Sequence, residues 1–255
     1  MPSRGVRLRS VDTNPSEWPS RLLPSRASRG AERFAKCATV VTKLYSLHLD
    51  TGAPLLAQTS WARFIPVEMS VSGAARFSGV AMTASLGLGE VHDAPYDPAV
   101  LELPDHERRP AILDWLQDHL LQLAASLDWD TGPLEAAYQA CLRDGCRFRQ
   151  TGAPKASADR RYRAHVEFEI DGEGDGWSWV EVKDPAGAVI LRSERRDSPA
   201  SITASGRVRR SVRWQGAEVT WMPWVDDIAP KGYEEWVGHV ERLALEDGKL
   251  PGATA

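Results

Sequence analysis

A chain of 255 residues with 42% hydrophobic and 26% charged side chains can bury a core of ordinary size, as one large domain or two small ones. Its net charge of −4 and pI near 5.9 argue against a domain built mainly to hold nucleic acid. No apolar run approaches the ~20 residues of a bilayer span. No stretch near the N-terminus has the form of a secretory signal, and Cys37, Cys141 and Cys146 make no disulfide framework. A reduced, cytoplasmic setting is the expectation.

The charge is unevenly spread. Residues 1–36 hold Arg4, Arg7, Arg9, Arg21, Arg26, Arg29, Arg33 and Lys36 against Asp12, Glu17 and Glu32, so this stretch is +5 and the remainder −9. Rich in Ser and Pro and poor in apolar side chains, it reads as a disordered basic arm. Its composition also resembles that of an organelle transit peptide, and a tail that docks on nucleic acid is a third reading. Arg outnumbers Lys 25 to 6 across the chain. That is a codon bias, and it weakens any argument from a single Arg.

Beyond the arm we expect one α+β domain over residues 37–248, then a flexible tail at 249–255. The β-branched, apolar run from Thr39 to Leu49 predicts a strand closed by the turn Asp50-Thr51-Gly52. Extended regions follow from Trp61 to Val71, broken by Pro66, and from Phe77 to Leu86. The glycines Gly87 and Gly89 lack the further residues of a phosphate loop. Ile112, Leu113, Leu116, Leu120, Leu123 and Leu127 recur at helical spacing, starting from Asp105 or Pro110. A second helix opens at Asp130-Thr131-Gly132-Pro133 and stops at Gly145, which makes a helical hairpin.

The period then changes to two. Val166, Phe168 and Ile170 alternate with Glu167, Glu169 and Asp171. After the loop Gly172–Gly176, Val180 and Val182 alternate with Trp179, Glu181 and Lys183. A strand from Ala188 to Ser193, one around Val208, Val212 and Trp214, and one from Ala217 to Trp221 complete an antiparallel meander. A helix from Tyr233 to Glu246 closes the chain, ended by Gly248 and Pro251. The order implies an antiparallel sheet with the helical hairpin and the C-terminal helix packed on it. A helix-grip cup, with the last helix over a small-molecule cavity, has the same order.

Two constellations carry chemistry. Asp171 with Glu181-Val182-Lys183 matches the pattern by which metal-dependent nucleases hold Mg²⁺ on two carboxylates and activate water with Lys, with Glu169 as a further member. Strand parity points Asp171, Glu181 and Lys183 to one face. A half-buried sheet would place the same residues on its wet side, where a cross-strand pair contributes only ~0.2–1 kcal/mol. The second constellation is Trp177 and Trp179, which share that outward parity among ten Trp in the chain. Such a pair stacks on a ligand or partner, or is covered by another element. Trp214, Trp221 and Trp224 read as core.

The six histidines, His48, His92, His106, His119, His165 and His239, show no His-x-x-x-His, and no Cys-x-x-Cys joins them, so no metal site is expected from spacing. No Gly-x-Ser-x-Gly elbow occurs. Arg207, Arg209, Arg210 and Arg213 could meet phosphate or simply line the solvent side of a strand. The leading expectation is a non-catalytic binding or interaction module for a protein or small molecule, using the Trp-bearing face or a cavity. The alternatives are the Mg²⁺-dependent phosphodiesterase and the helix-grip binder. No membrane partner is expected, and nucleic acid is not favoured.

Overall fold

The computed structural model describes residues 5–14, 28–69, 82–83, 90–225 and 234–245. The chain gathers into two compact units, one of Met1–Phe148 with Gly172–Gly174 and one of Arg149–Asp171 with Asp175–Ala255. Helices and sheets are mixed in an α+β arrangement. No helix among the described residues is long and apolar enough to cross a membrane.

The first unit holds strands β1 (Val6–Arg7) and β2 (Ser10–Thr13), helix α1 (Arg29–Thr51), and strands β3 (Leu56–Ala57), β4 (Trp61–Glu68), β5 (Met82–Thr83) and β6 (Glu90–Tyr96). Helices α2 (Asp105–Leu127) and α3 (Gly132–Arg143) follow. β2, β4 and β6 run parallel in a four-stranded sheet, with β5 antiparallel at its edge. Pro66 is tolerated inside β4 because the pairing with β2 stops at Thr13 and Phe64, so its missing N–H has no ladder partner to deprive.

Two pieces of the stretch expected to be a disordered arm are ordered. Leu8 and Val11 beside and within β2 are fully buried, and α1 already starts at Arg29. Residues 1–4 and 15–27 lie outside the described residues. The expected strand Thr39–Leu49 is likewise helix. Ser28 caps α1 by accepting from the Ala31 N–H at 3.0 Å. α1 touches β2, β4, α2 and α3, so Phe34, Val40, Val41, Leu44, Tyr45 and Leu49 are all buried. A helix covered on several sides carries an almost continuous apolar run, which looks like a buried strand when only periodicity is read. Its Thr-Val-Val-Thr core disfavours helix only slightly, and burial overrides that preference.

The expected helical hairpin is present as α2 and α3, with Pro110 inside α2 instead of at its start. The Tyr45 hydroxyl ties the three helices together, 2.7 Å from Gln117 Oε1 and 2.8 Å from the Leu134 carbonyl. Burial pushes its pKa far up. The extended region expected over 77–86 falls mostly outside the described residues, apart from β5.

The second unit is built on a six-stranded sheet of β7 (Phe148–Thr151), β8 (Lys155–Ala156), β9 (Arg163–Ile170), β10 (Gly176–Lys183), β11 (Val189–Arg192) and β12 (Arg196–Ser198). β9 and β10 form its centre, flanked by β7 and β8 on one side and by β11 and β12 on the other. Helix α4 (Ile202–Arg210) packs on β9. Strands β13 (Arg213–Gln215), β14 (Glu218–Trp221) and β15 (Glu241–Ala244) make a separate antiparallel sheet.

Two expected elements change type here. The strand expected around Val208 is the last turn of α4, started by the Ser201 side chain accepting from the Ala204 N–H at 3.0 Å. Ala204, Ser205 and Val208 are its buried stripe, and Arg207, Arg209 and Arg210 complement the negative end of the helix. The C-terminal helix expected over 233–246 is a short 3₁₀ turn, Glu234–Trp236, followed by β15. Gly238 sits at φ +74° and donates to the Trp224 carbonyl at 3.0 Å, a conformation that ends a helix. Among the described residues, a helix-grip arrangement therefore has no terminal helix to close a cup.

Candidate functional site

The β9–β10 hairpin sets which side chains can meet. Its register pairs Ile170 with Gly176, Glu169 with Trp177, Glu167 with Trp179, His165 with Glu181 and Arg163 with Lys183. One face of this ladder is oily: Val166, Phe168, Val180 and Val182 are fully buried, and Ile170 nearly so. The other face carries His165, Glu167, Glu169, Trp177, Trp179, Glu181 and Lys183, as alternation requires.

Asp171 meets the outward-facing Trp177, as parity implies, but the register removes it from the constellation. Asp171 sits at the loop end of the hairpin, while Glu181 lies opposite His165, six residues back along β9. At a rise of ~3.3 Å per residue the two carboxylates are about 20 Å apart. Asp171 instead accepts from the Trp177 indole N–H at 2.6 Å and from the Asp175 N–H at 3.0 Å, which closes the hairpin end. The Mg²⁺ triad of Asp171, Glu181 and Lys183 is thus not assembled. Glu169 lies opposite Trp177 and is 3.6 Å from Arg195.

What does converge on Glu181 and Lys183 is a different set. His165 Nε2 lies 3.0 Å from Glu167 Oε1 and 3.5 Å from Glu181 Oε2. Glu167 Oε1 also accepts from the Thr151 hydroxyl at 2.8 Å, and its Oε2 accepts from Arg149 Nε at 3.0 Å. Glu181 Oε1 accepts from Arg192 at 2.6 Å and from the Trp179 indole N–H at 3.4 Å, and Lys183 Nζ stands 4.0 Å from Oε2. His165, Glu167 and Glu181 are 3%, 3% and 4% exposed, as well buried as the oily face.

Taking two carboxylates out of water costs several kcal/mol per ion unless each lone pair finds a partner. Glu167 shows the balance. Burial pushes its pKa up, yet the hydrogen bonds from His165, Thr151 and Arg149 outweigh burial and bring the carboxyl down to about 2. Among the described residues, His165, Glu167 and Glu181 are also the group whose donor atoms could share one metal ion.

The indoles do not stand bare. Trp179 is 5% exposed and Trp177 half-buried. The Arg195 guanidinium lies over both rings, 5.0 Å from the Trp177 centroid and 5.3 Å from that of Trp179. Arg149 lies 5.2 Å over Trp179. The face is thus layered, with indoles and carboxylates as floor and the half-exposed side chains of Arg149, Arg192 and Arg195 as roof. The other basic cluster serves structure: Arg209 donates to the Thr151 carbonyl at 3.1 Å, and Arg213 to the Arg210 carbonyl at 2.6 Å. Trp221 and Trp224 are buried as expected, and Trp214 is half-buried, donating to the Lys155 carbonyl at 2.8 Å.

Spacing rules for metal motifs passed over His165 and Glu167, because they search along one element and this set spans two strands. Counting the register back from the Gly172–Gly176 loop would have placed His165 against Glu181. Nothing local in the sequence marks Arg149, Arg192 and Arg195 as the cover. No family model, no curated protein and no solved structure matches the chain.

Proposed function

We propose that the protein is a binding module that takes an anionic group, a carboxylate or a phosphate, on the arginine layer over the β9–β10 hairpin. The observation that carries this reading is Arg195, which lies over Trp177 and Trp179 while its side chain remains 47% exposed. A guanidinium over indole rings is drawn to them by cation–π attraction, and its fork of N–H donors matches a carboxylate or phosphate. Arg149 and Arg192, with side chains 53% and 59% exposed, each use only part of their donor set on a buried carboxylate. Arg149 and Arg192 sit on strands, Arg195 lies between two strands, and ion pairs or ring contacts already orient all three, which lowers the entropy lost on capturing an oxyanion. In this reading the indoles serve to fix the arginines, and the ligand meets guanidinium first.

Titration of the purified chain with pyrophosphate and, separately, with a hexaglutamate peptide tests the proposal and separates the two anion sources. Calorimetry should register binding of one of them, with a change in tryptophan emission as Arg195 shifts on its rings. Arg195→Ala should weaken that binding at least tenfold while leaving the urea midpoint close to that of the parent. Failure of both probes to bind, or equal binding by Arg195→Ala, would overturn it.

A further inference from the structure

Beneath the arginines, the buried donors have a geometry of their own. Imidazole nitrogen and carboxylate oxygen bind zinc at about 2.0–2.2 Å, so two donors around a tetrahedral ion stand about 3.3–3.6 Å apart, a few tenths of an ångström wider than a hydrogen-bonded pair. His165 Nε2 is 3.0 Å from Glu167 Oε1 and 3.5 Å from Glu181 Oε2, and the three donor atoms fall within 4.8 Å of one another. The remaining oxygen of each carboxylate is gripped elsewhere, Glu167 Oε2 by Arg149 and Glu181 Oε1 by Arg192. Each carboxylate therefore aims one oxygen at the imidazole while a cation fixes the other. Outer donors that orient ligating groups in this way are the usual support of a metal site.

We propose that His165, Glu167 and Glu181 bind a divalent transition-metal ion, zinc above the others. An imidazole in the donor set favours zinc, copper, iron or nickel over magnesium, which prefers oxygen alone. Three protein ligands leave at least one coordination position for water or an anion. The backbone supplies the rigidity: His165 and Glu181 are directly opposed on adjacent strands, and Glu167 is the next residue on the same face. The inference rests on the buried set and is independent of the anion reading, so the two can fail separately. The competing role for His165 is a hydrogen-bond bridge that merely joins two carboxylates.

The test uses the full chain, stripped with chelator and exchanged into phosphate-free buffer. Titration with Zn²⁺ by calorimetry should give one site per chain with micromolar or tighter affinity. His165→Ala and Glu181→Gln should each weaken it at least tenfold. Should either variant fail to fold, the unaltered chain still decides. Mn²⁺ added at substoichiometric levels should broaden the indole N–H resonance of Trp179, which donates to Glu181, before that of Trp61. Absence of binding below about millimolar Zn²⁺, undiminished binding by a folded His165→Ala, or no preferential broadening of Trp179 would overturn the proposal.

Discussion

The two faces of the β9–β10 hairpin both hold buried side chains, kept there by opposite means. On one, Val166, Phe168, Val180 and Val182 exclude water because they are apolar and pack with α4 and each other. On the other, His165, Glu167 and Glu181 are within a few per cent of the same burial, yet every carboxylate oxygen has an Arg, Thr, His, Trp or Lys partner. The first face gains free energy from transfer out of water in proportion to area. The second recovers, through ion pairs and hydrogen bonds, what desolvation takes away. Burial alone does not mark a hydrophobic core.

The largest break in this comparison should come from the oily side. Phe168 is fully buried, and Phe168→Ala should lower unfolding free energy by ~3–5 kcal/mol in urea, the usual cost of removing a core aromatic. The ionic face should answer to pH instead. The Glu167 carboxyl is brought from an ordinary 4.5 to about 2 in the folded chain, so its contribution is complete above pH 4.5 and is lost as pH falls through that window. Glu167→Gln should therefore lose about 3 kcal/mol at neutral pH. The difference from the parent should shrink toward zero in urea titrations carried from pH 6 to pH 2.5. A constant difference across that range would mean the charge of Glu167 does not hold the face.

A smaller test sharpens the contrast from inside the oily face. Ser178 and Ser198 are buried there, their hydroxyls 2.8 Å apart. Ser178→Ala alone should cost about 1 kcal/mol, because it strands the Ser198 hydroxyl. Removing both should cost less than the sum of the single changes, a coupling that a double-mutant cycle reads directly.

The helical hairpin and the β9–β10 pair are legible because each separates apolar from polar side chains: a 3.6-residue stripe in α2 and strict alternation in the strands. The middle of α1 looks like a strand because residues 37–49 have no exposed position and include the β-branched run Thr39–Thr42. Residues 241–244 look helical in sequence because Trp236, Val237, Val240 and Leu243 also suit a helix, and only the pairing of β15 with β14 makes them strand. At the site, alternation sufficed to put Trp177, Trp179, Glu181 and Lys183 on one side. It could not say that Asp171 lay at the wrong end of the ladder.

The amino-acid order by itself determined an α+β chain, the existence of the hairpin and the division of its side chains between two faces, because these follow from local periodicity. Only the tertiary structure decided that the polar face is buried. Its cover comes from Arg149 on β7, which pairs with β9 across an intervening loop, from Arg192 on β11, set opposite Glu181 by the β10–β11 register, and from Arg195 just beyond it. A residue's position along the chain specifies which way its side chain points; what it meets there depends on neighbours that arrive from elsewhere in the sequence.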